Sequence, residues 1–162
     1  STRPRSAPVG EPSLSRPGLS LDAGLVVLPL LRRPSPHGSG HVLGAVQLGL
    51  GYTPRRAPRL SLDARVEAGF GAARSVAAYG GLAYVASPST SRLYLGGALD
   101  AGVLATLSGA HAASLLVRAS GLVGYRLTAR WAIELGAPEL TLLVGHGAVV
   151  ALGASARVRV RL

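Results

Sequence analysis

The stretch LSLDARVEAGF, residues 60–70, alternates with a period of two. Leu60, Leu62, Ala64, Val66, Ala68 and Phe70 hold one parity; Ser61, Asp63, Arg65, Glu67 and Gly69 hold the other. Wound as a helix, it would scatter its charges around more than half the circumference and leave no apolar stripe. Extended as a strand, it has one oily face and one charged face. The chain ends in the same manner, on ASARVRVRL, where Arg157, Arg159 and Arg161 alternate with Val158, Val160 and Leu162. The fold must give each such strand two unlike surroundings.

Similar segments recur along the chain, separated by Pro, Gly, Ser and Arg. The pattern predicts eight strands, at about 19–30, 40–53, 58–71, 75–87, 92–106, 112–126, 130–144 and 148–162. Their connections are short enough for each strand to pair with its predecessor in an antiparallel meander. Residues 1–18 are rich in Pro, Ser and Arg with nothing to bury, and are expected to be a disordered tail or linker ahead of a single domain at 19–162.

Composition sharpens the choice of architecture. All 17 basic residues are arginine and the formal net charge is +10, yet the mean hydropathy is +0.37. The longest uncharged runs, 101–117 and 140–156, are shorter than the roughly 20 residues a membrane-spanning helix needs, and both carry His, Ser or Thr and repeated Gly. With no cysteine there is no disulfide framework and no thiolate metal site. No segment has the charged-then-apolar makeup of an export leader, as expected of a mature form, a fragment, or a chain not exported by that route.

Sorting side chains by parity places Leu19, Leu21, Ala23, Leu25 and Val27 opposite Asp22, and Leu93, Leu95, Leu99 and Val103 opposite Tyr94 and Asp100. In the seventh strand Trp131, Ile133 and Leu135 oppose Glu134; a bulge at Pro138 would return Glu139 and Thr141 to the same polar face. Of the seven acidic residues, only Glu11 lies off a polar strand face. Two architectures satisfy such strands. A soluble barrel or sandwich turns the oily face inward, whereas a transmembrane barrel turns it to lipid and the charges to the lumen.

Three features favour the membrane. The oily face is Leu, Val and Ala, with one Phe and one Trp in the chain, and so lacks the large aromatics that help to fill a soluble core. The acids lie within strands while the connections keep arginine, which suits an interior where opposite charges meet. Tyr52, Tyr84, Tyr125 and Trp131 all fall by connections that follow even-numbered strands, forming an aromatic girdle at one rim; the other rim has Phe70. An arginine facing lipid at mid-wall costs about 2–4 kcal/mol, so three on one strand must face the lumen. The expected interior network comprises Asp22, Asp63, Arg65, Glu67, Asp100, Arg118, Glu134, Glu139, Arg157, Arg159 and Arg161. Arg157 and Arg159 are expected to pair with Asp22, Glu134 and Glu139, with Arg161 nearer the rim.

From about residue 19 to 162 the chain resembles the small eight-stranded outer-membrane barrels of the OmpA and OmpX type. The likeness is local at GYRLTARWAIEL, residues 124–135, which is similar to a tight turn of those barrels followed by an aromatic that opens the next strand. The last strand resembles their C-terminal assembly signal, departing from it in ending on Leu162 where an aromatic is usual. The resemblance implies an all-β fold, an eight-stranded antiparallel up-and-down transmembrane β-barrel in the bacterial outer membrane.

Architecture does not give function. A barrel of eight strands is filled by its own side chains, so a diffusion pore is not expected. The interior charges read as a salt-bridged plug, or alternatively as a narrow ion path lined by Arg65, Arg118, Arg157 and Arg159, with water admitted by Gly49, Gly51, Gly96 and Gly102. His37, His41, His111 and His146 would share the rim opposite the tyrosines. There they offer a metal site or, beside Ser39, Ser108 or Ser114, a lipid-hydrolysing base, but without any ligand spacing or nucleophile motif. No catalytic residue, cofactor or metal is therefore assigned. The arginines outside strands suit phospholipid or lipopolysaccharide headgroups, and the tail arginines Arg3, Arg5 and Arg16 suit an acidic envelope protein. Nucleic acid is disfavoured for want of an aromatic stacking platform. The leading expectation is a non-enzymatic structural or anchoring barrel of the cell envelope, within a larger assembly in one version; a soluble barrel for an apolar ligand and a barrel-embedded lipid hydrolase follow.

Overall fold

A computed structural model of the chain describes residues 18–29, 42–71, 74–86, 92–107, 112–145 and 148–162. They form eight strands: β1 (Gly18–Pro29), β2 (Val42–Thr53), β3 (Leu60–Gly71), β4 (Ser75–Val85), β5 (Leu93–Thr106), β6 (Ala112–Arg126), β7 (Trp131–Val144) and β8 (Ala148–Arg161). Each pairs antiparallel with the next, and β8 returns to β1, closing the barrel in the order β1 to β8. The boundaries fall within a few residues of the sequence pattern. The uncharged run at 101–117 is divided between β5 and β6, and no helix among the described residues is long and apolar enough to cross a membrane. The expected tail lies almost wholly outside the described residues, β1 beginning at Gly18.

Closure is set by the seam. Leu21 lies opposite Val160, Asp22 opposite Arg159 and Gly24 opposite Arg157, and Leu162 N donates to Leu19 O at 3.0 Å. Because the pleat alternates faces, this register puts the arginines of β8 on the same side of the wall as Asp22. That side is the interior. Leu48 is 61% exposed and Leu25 56%, whereas Glu134 is 1% and Thr141 0% exposed. The barrel is thus oily outside and polar inside. In β7 the alternation is restored after an irregularity between Gly136 and Glu139, so that Glu134, Glu139 and Thr141 are all buried.

The interior has two zones. Charges reach from the part nearer the chain ends, here called the terminal rim, past mid-strand to Glu67, Arg118 and Glu139. Towards the opposite rim, inward positions turn apolar: Val26, Leu28 and Ala45 form one cluster, and Ala77, Tyr79 and Leu116, with Leu104 and Leu143 against them, form another. Nor do the inward glycines hold open space. A Cβ at Gly49 would lie 2.5 Å from Asp22 Oδ1 and 2.8 Å from Arg65 Cγ, and one at Gly51 would lie 2.6 Å from Asp63 Oδ1. At Gly102 the backbone of Ala78 and Tyr79, with Tyr79 Cβ, takes the space, and at Gly96 the backbone of Tyr84 does. The expected room for water at these four positions is therefore taken up by protein atoms.

Gly124 plays the same part for an aromatic ring. Its register partner is Tyr94, which lies across it so closely that a Cβ at 124 would be 2.6 Å from Tyr94 Oη and nearer still to the ring carbons. Gly124→Val is expected to displace Tyr94 and cost about 1–3 kcal/mol, the usual range for overpacking. Gly18→Val, which meets nothing within 4 Å, should leave stability unchanged. Urea unfolding of the detergent-folded barrel, followed by tryptophan fluorescence, measures both.

Candidate functional site

Why the interior charges meet follows from register. Asp22 sits opposite Gly49, and Gly49 opposite Arg65; with no side chain between them, β1 and β3 reach each other across β2. Arg65 Nε lies 3.5 Å from Asp22 Oδ1, its Nη2 donates to Asp63 Oδ2 at 2.7 Å, and its Nη1 lies 3.4 Å from Asp100 Oδ2. One guanidinium thus faces carboxylates from three strands. Ser61 Oγ donates to the Asp63 carboxylate at 2.8 Å.

A second group straddles the β7–β8 pairing and the seam. Arg157 Nε donates to Glu134 Oε2 at 2.5 Å. Arg159 lies 3.4 Å from Glu134 Oε1, 3.3 Å from Asp63 Oδ2 and 3.6 Å from Asp22 Oδ2, so it joins this group to the first. Tyr94 Oη, on β5, donates to Glu134 Oε1 at 2.6 Å. Glu139 takes a different partner from the one expected. The ion pairs of Arg157 and Arg159 run to Glu134, Asp22 and Asp63, and Glu139 accepts a hydrogen bond from Ser155 Oγ, because the β7 irregularity sets it opposite Gly153, beyond the arginines.

The third group centres on Arg118. Its register partners are Asp100 and Thr141; it donates to Thr141 Oγ1 at 3.2 Å but sends Nη1 across the lumen to Glu67 Oε2 at 3.1 Å. The guanidinium lies over the Tyr79 ring, 4.9 Å from its centroid. Tyr79 Oη accepts from Arg118 at 3.1 Å and lies within hydrogen-bond distance of both Glu67 Oε2, at 3.0 Å, and Gln47 Oε1, at 3.1 Å. Arg161 shares the inward parity but is only partly buried, opposite Ser20 at the terminal rim. Arg126 shares that rim, 5.1 Å over the ring of Tyr94.

Tyr79, Tyr94 and Gln47 join these groups although sequence reasoning did not select them. The available signal was parity: each stands on the charged side of its strand. The girdle residues Tyr52, Tyr84, Tyr125 and Trp131 are all exposed on the outer wall. Their register partners include Leu19, Leu60, Leu93 and Val160, which fixes them at the terminal rim. Phe70 is exposed on the outer wall near the other rim. The four histidines, with Ser39 and Ser108, lie outside the described residues, and Ser114 is half-buried. Among the described residues no group of three His, Cys, Asp or Glu could hold a metal ion.

Guanidinium, carboxylate, phenol and hydroxyl groups in this arrangement hold one another in place by ionic pairing and hydrogen bonding across the interior. No protein-family model matches the chain, and no curated protein sequence matches it. Its structure is similar to the crystal structure of Neisserial surface protein A (NspA), with a TM-score of 0.68 and 16% sequence identity, covering 90% of this chain and 97% of that one. The likeness is one of fold: a small closed barrel of eight antiparallel strands.

Removing one partner from a buried ionic group leaves the others uncompensated and costs about 3–5 kcal/mol. Arg65→Met is expected to destabilise the barrel by that amount, since Asp22, Asp63 and Asp100 all face it. Adding Asp63→Asn should restore part of the loss. A double-mutant cycle by urea unfolding in detergent gives the coupling directly.

Proposed function

We propose that this chain is a non-enzymatic barrel of the bacterial outer membrane, a structural or anchoring component of the envelope whose lumen is closed by its own charges. The observation that carries the reading is the inversion of the wall: large apolar side chains cover the outside, from Leu21 and Leu25 through Leu48, Val66 and Leu99 to Leu152, while six carboxylates are buried within. A water-soluble barrel gains stability from the opposite arrangement. The strands, 11 to 15 residues long, reach or exceed the roughly 9–11 tilted residues that cross a bilayer. The outward aromatics at the terminal rim suit the interface between hydrocarbon and headgroups. The fold shared with a Neisserial surface protein supports the same compartment.

Closure of the lumen favours the plug over the ion path. Arg65, Arg118 and Arg157, three of the four arginines expected to line such a path, are at most 7% exposed, and each lies in an ion pair with a carboxylate. The apolar clusters around Val26 and Leu116 lie on the way to the far rim. An ion would have to break pairs in one zone and enter hydrocarbon-like surroundings in the other. A barrel of this kind contributes a fixed, stable wall and two rims on which other envelope components can act.

Three measurements test the reading. The chain should need detergent to stay dispersed and should migrate differently on a gel before and after boiling; dispersal without detergent would overturn the proposal. Leu48→Arg, at mid-wall and outward, should cost about 2–4 kcal/mol for folding into bilayers, whereas in a water-facing wall it would be neutral. Planar bilayers containing the folded protein should show no conductance steps.

A further inference from the structure

At the terminal rim the backbone ladder runs one step beyond the paired strands. Val85 N donates to Arg59 O at 2.8 Å, Arg126 N to Arg92 O at 2.9 Å and Arg161 N to Arg130 O at 2.8 Å. These bonds extend the pairings of Leu60 with Tyr84, Leu93 with Tyr125 and Trp131 with Val160. Because faces alternate along an extended chain, Arg59 takes the side of Ser61 and Asp63, Arg92 that of Tyr94 and Arg130 that of Glu134. Arg126 and Arg161 share the inward parity of Arg118 and Arg159. Five arginines thus stand at inward positions around the mouth of the lumen.

Four of them fall on the consecutive strands β5 to β8 and make two directly opposed pairs, Arg92 with Arg126 and Arg130 with Arg161. The Arg126 guanidinium lies 5.1 Å over the ring of Tyr94, a side chain buried inside the barrel. It is also repelled by Arg161, with β7 standing between their strands. Both therefore lean over the mouth and not toward the outer wall.

Like charges directly opposite on neighbouring strands are destabilising. Deeper in the lumen the arginines meet acids; here none answers. Arg92, Arg126 and Arg130 form no ion pair among the described residues, and the six buried carboxylates are held further in, by Arg65, Arg118, Arg157, Arg159 and Ser155. The connections at this rim, 54–59, 86–92 and 127–130, contain no Asp or Glu. The segment before β1 carries Arg3, Arg5 and Arg16 against Glu11, and so adds to the positive charge. A second copy of the chain would present the same basic rim. Leaflet headgroups meet the outer wall, where Tyr84, Tyr125 and Trp131 are exposed, whereas these guanidinium groups stand at inward positions. The counter-charge has to arrive from water.

Spacing and charge give its chemical class. Side chains directly opposite across two strands start about 4.5–5.5 Å apart, so the two guanidinium groups of a pair close on one anionic group. A carboxylate brings one charge and two oxygens, which a single guanidinium fork satisfies. A phosphoryl group brings about two charges and three strong acceptor oxygens, enough for both forks. We infer that the mouth of the lumen at the terminal rim binds a water-borne anion with two phosphoryl groups, one held by Arg92 and Arg126 and the other by Arg130 and Arg161. The site depends on strand register and not on what surrounds the outer wall, so it stands or falls separately from the membrane reading.

Isothermal titration calorimetry of the barrel folded in zwitterionic detergent at low salt tests the site, with inorganic pyrophosphate as the probe. One pyrophosphate should bind per barrel, more tightly than inorganic phosphate. Arg92→Gln and Arg130→Gln should each weaken it about tenfold, the loss of a charged hydrogen-bonding partner, whereas Arg74→Gln, at the other rim, should leave it unchanged. Arg92 and Arg130 are exposed and lie outside the strands, so both variants should fold, which heat-modifiable migration checks. Urea unfolding at low salt without added anion should find Arg92→Gln no less stable than the wild type, because the substitution removes a repulsion. A loss of stability there would show that Arg92 already has a partner within the barrel and would overturn the inference. Equal weakening by Arg74→Gln, the mark of an adventitious ion only, would overturn it too. So would tighter binding of a glutamate-rich peptide than of pyrophosphate, or displacement of pyrophosphate by phosphatidylglycerol added to the micelles.

Discussion

The structure depends on keeping charge off the outer wall. A guanidinium at mid-wall in hydrocarbon is costly, and a buried carboxylate without a partner is costly too. Both penalties are met at once when arginines and acids share one face and that face is rolled inward. Strand parity achieves the sharing, and closure of β8 on β1 achieves the rolling. What remains is spacing, and here glycine matters more than charge. Asp22 and Arg65 meet because Gly49 stands between them, and Tyr94 reaches Glu134 by lying across Gly124.

Much of this architecture can be read from a period of two. LSLDARVEAGF and ASARVRVRL state which residues share a face, and punctuation by Pro, Gly and Arg divides the chain into eight strands whose order and direction the short connections dictate. Even the β7 irregularity announces itself through Pro138 and the parity change between Glu134 and Glu139. The pairing of individual charges is less legible, because it depends on stagger between strands far apart in sequence. Arg118 faces Asp100 in register yet crosses the lumen to Glu67, and Glu139 finds Ser155 rather than an arginine. Nothing local in the chain encodes either choice.

The apolar part of the interior is illegible for another reason. Val26, Leu28, Leu116 and Leu143 stand on inward parities beside outward Leu and Val, so at those points the alternation fades into a continuous oily run. Such a run cannot say which of its members faces in. The same ambiguity marks the far rim, where the wall and its contents have similar composition. At the terminal rim the contrast is sharpest, with tyrosines outside, arginines in the connections and carboxylates within.

The seam ion pairs join the beginning of the chain to its end. Asp22 belongs to the first strand and Arg159 to the last, and Arg159 also contacts Asp63 and Glu134. Without the last strand Glu134 has no arginine partner, and Asp22, Asp63 and Asp100 are left to share the single guanidinium of Arg65. A sheet lacking β8 therefore holds more buried negative charge than positive on its inner face, and closing the ring brings the two into balance.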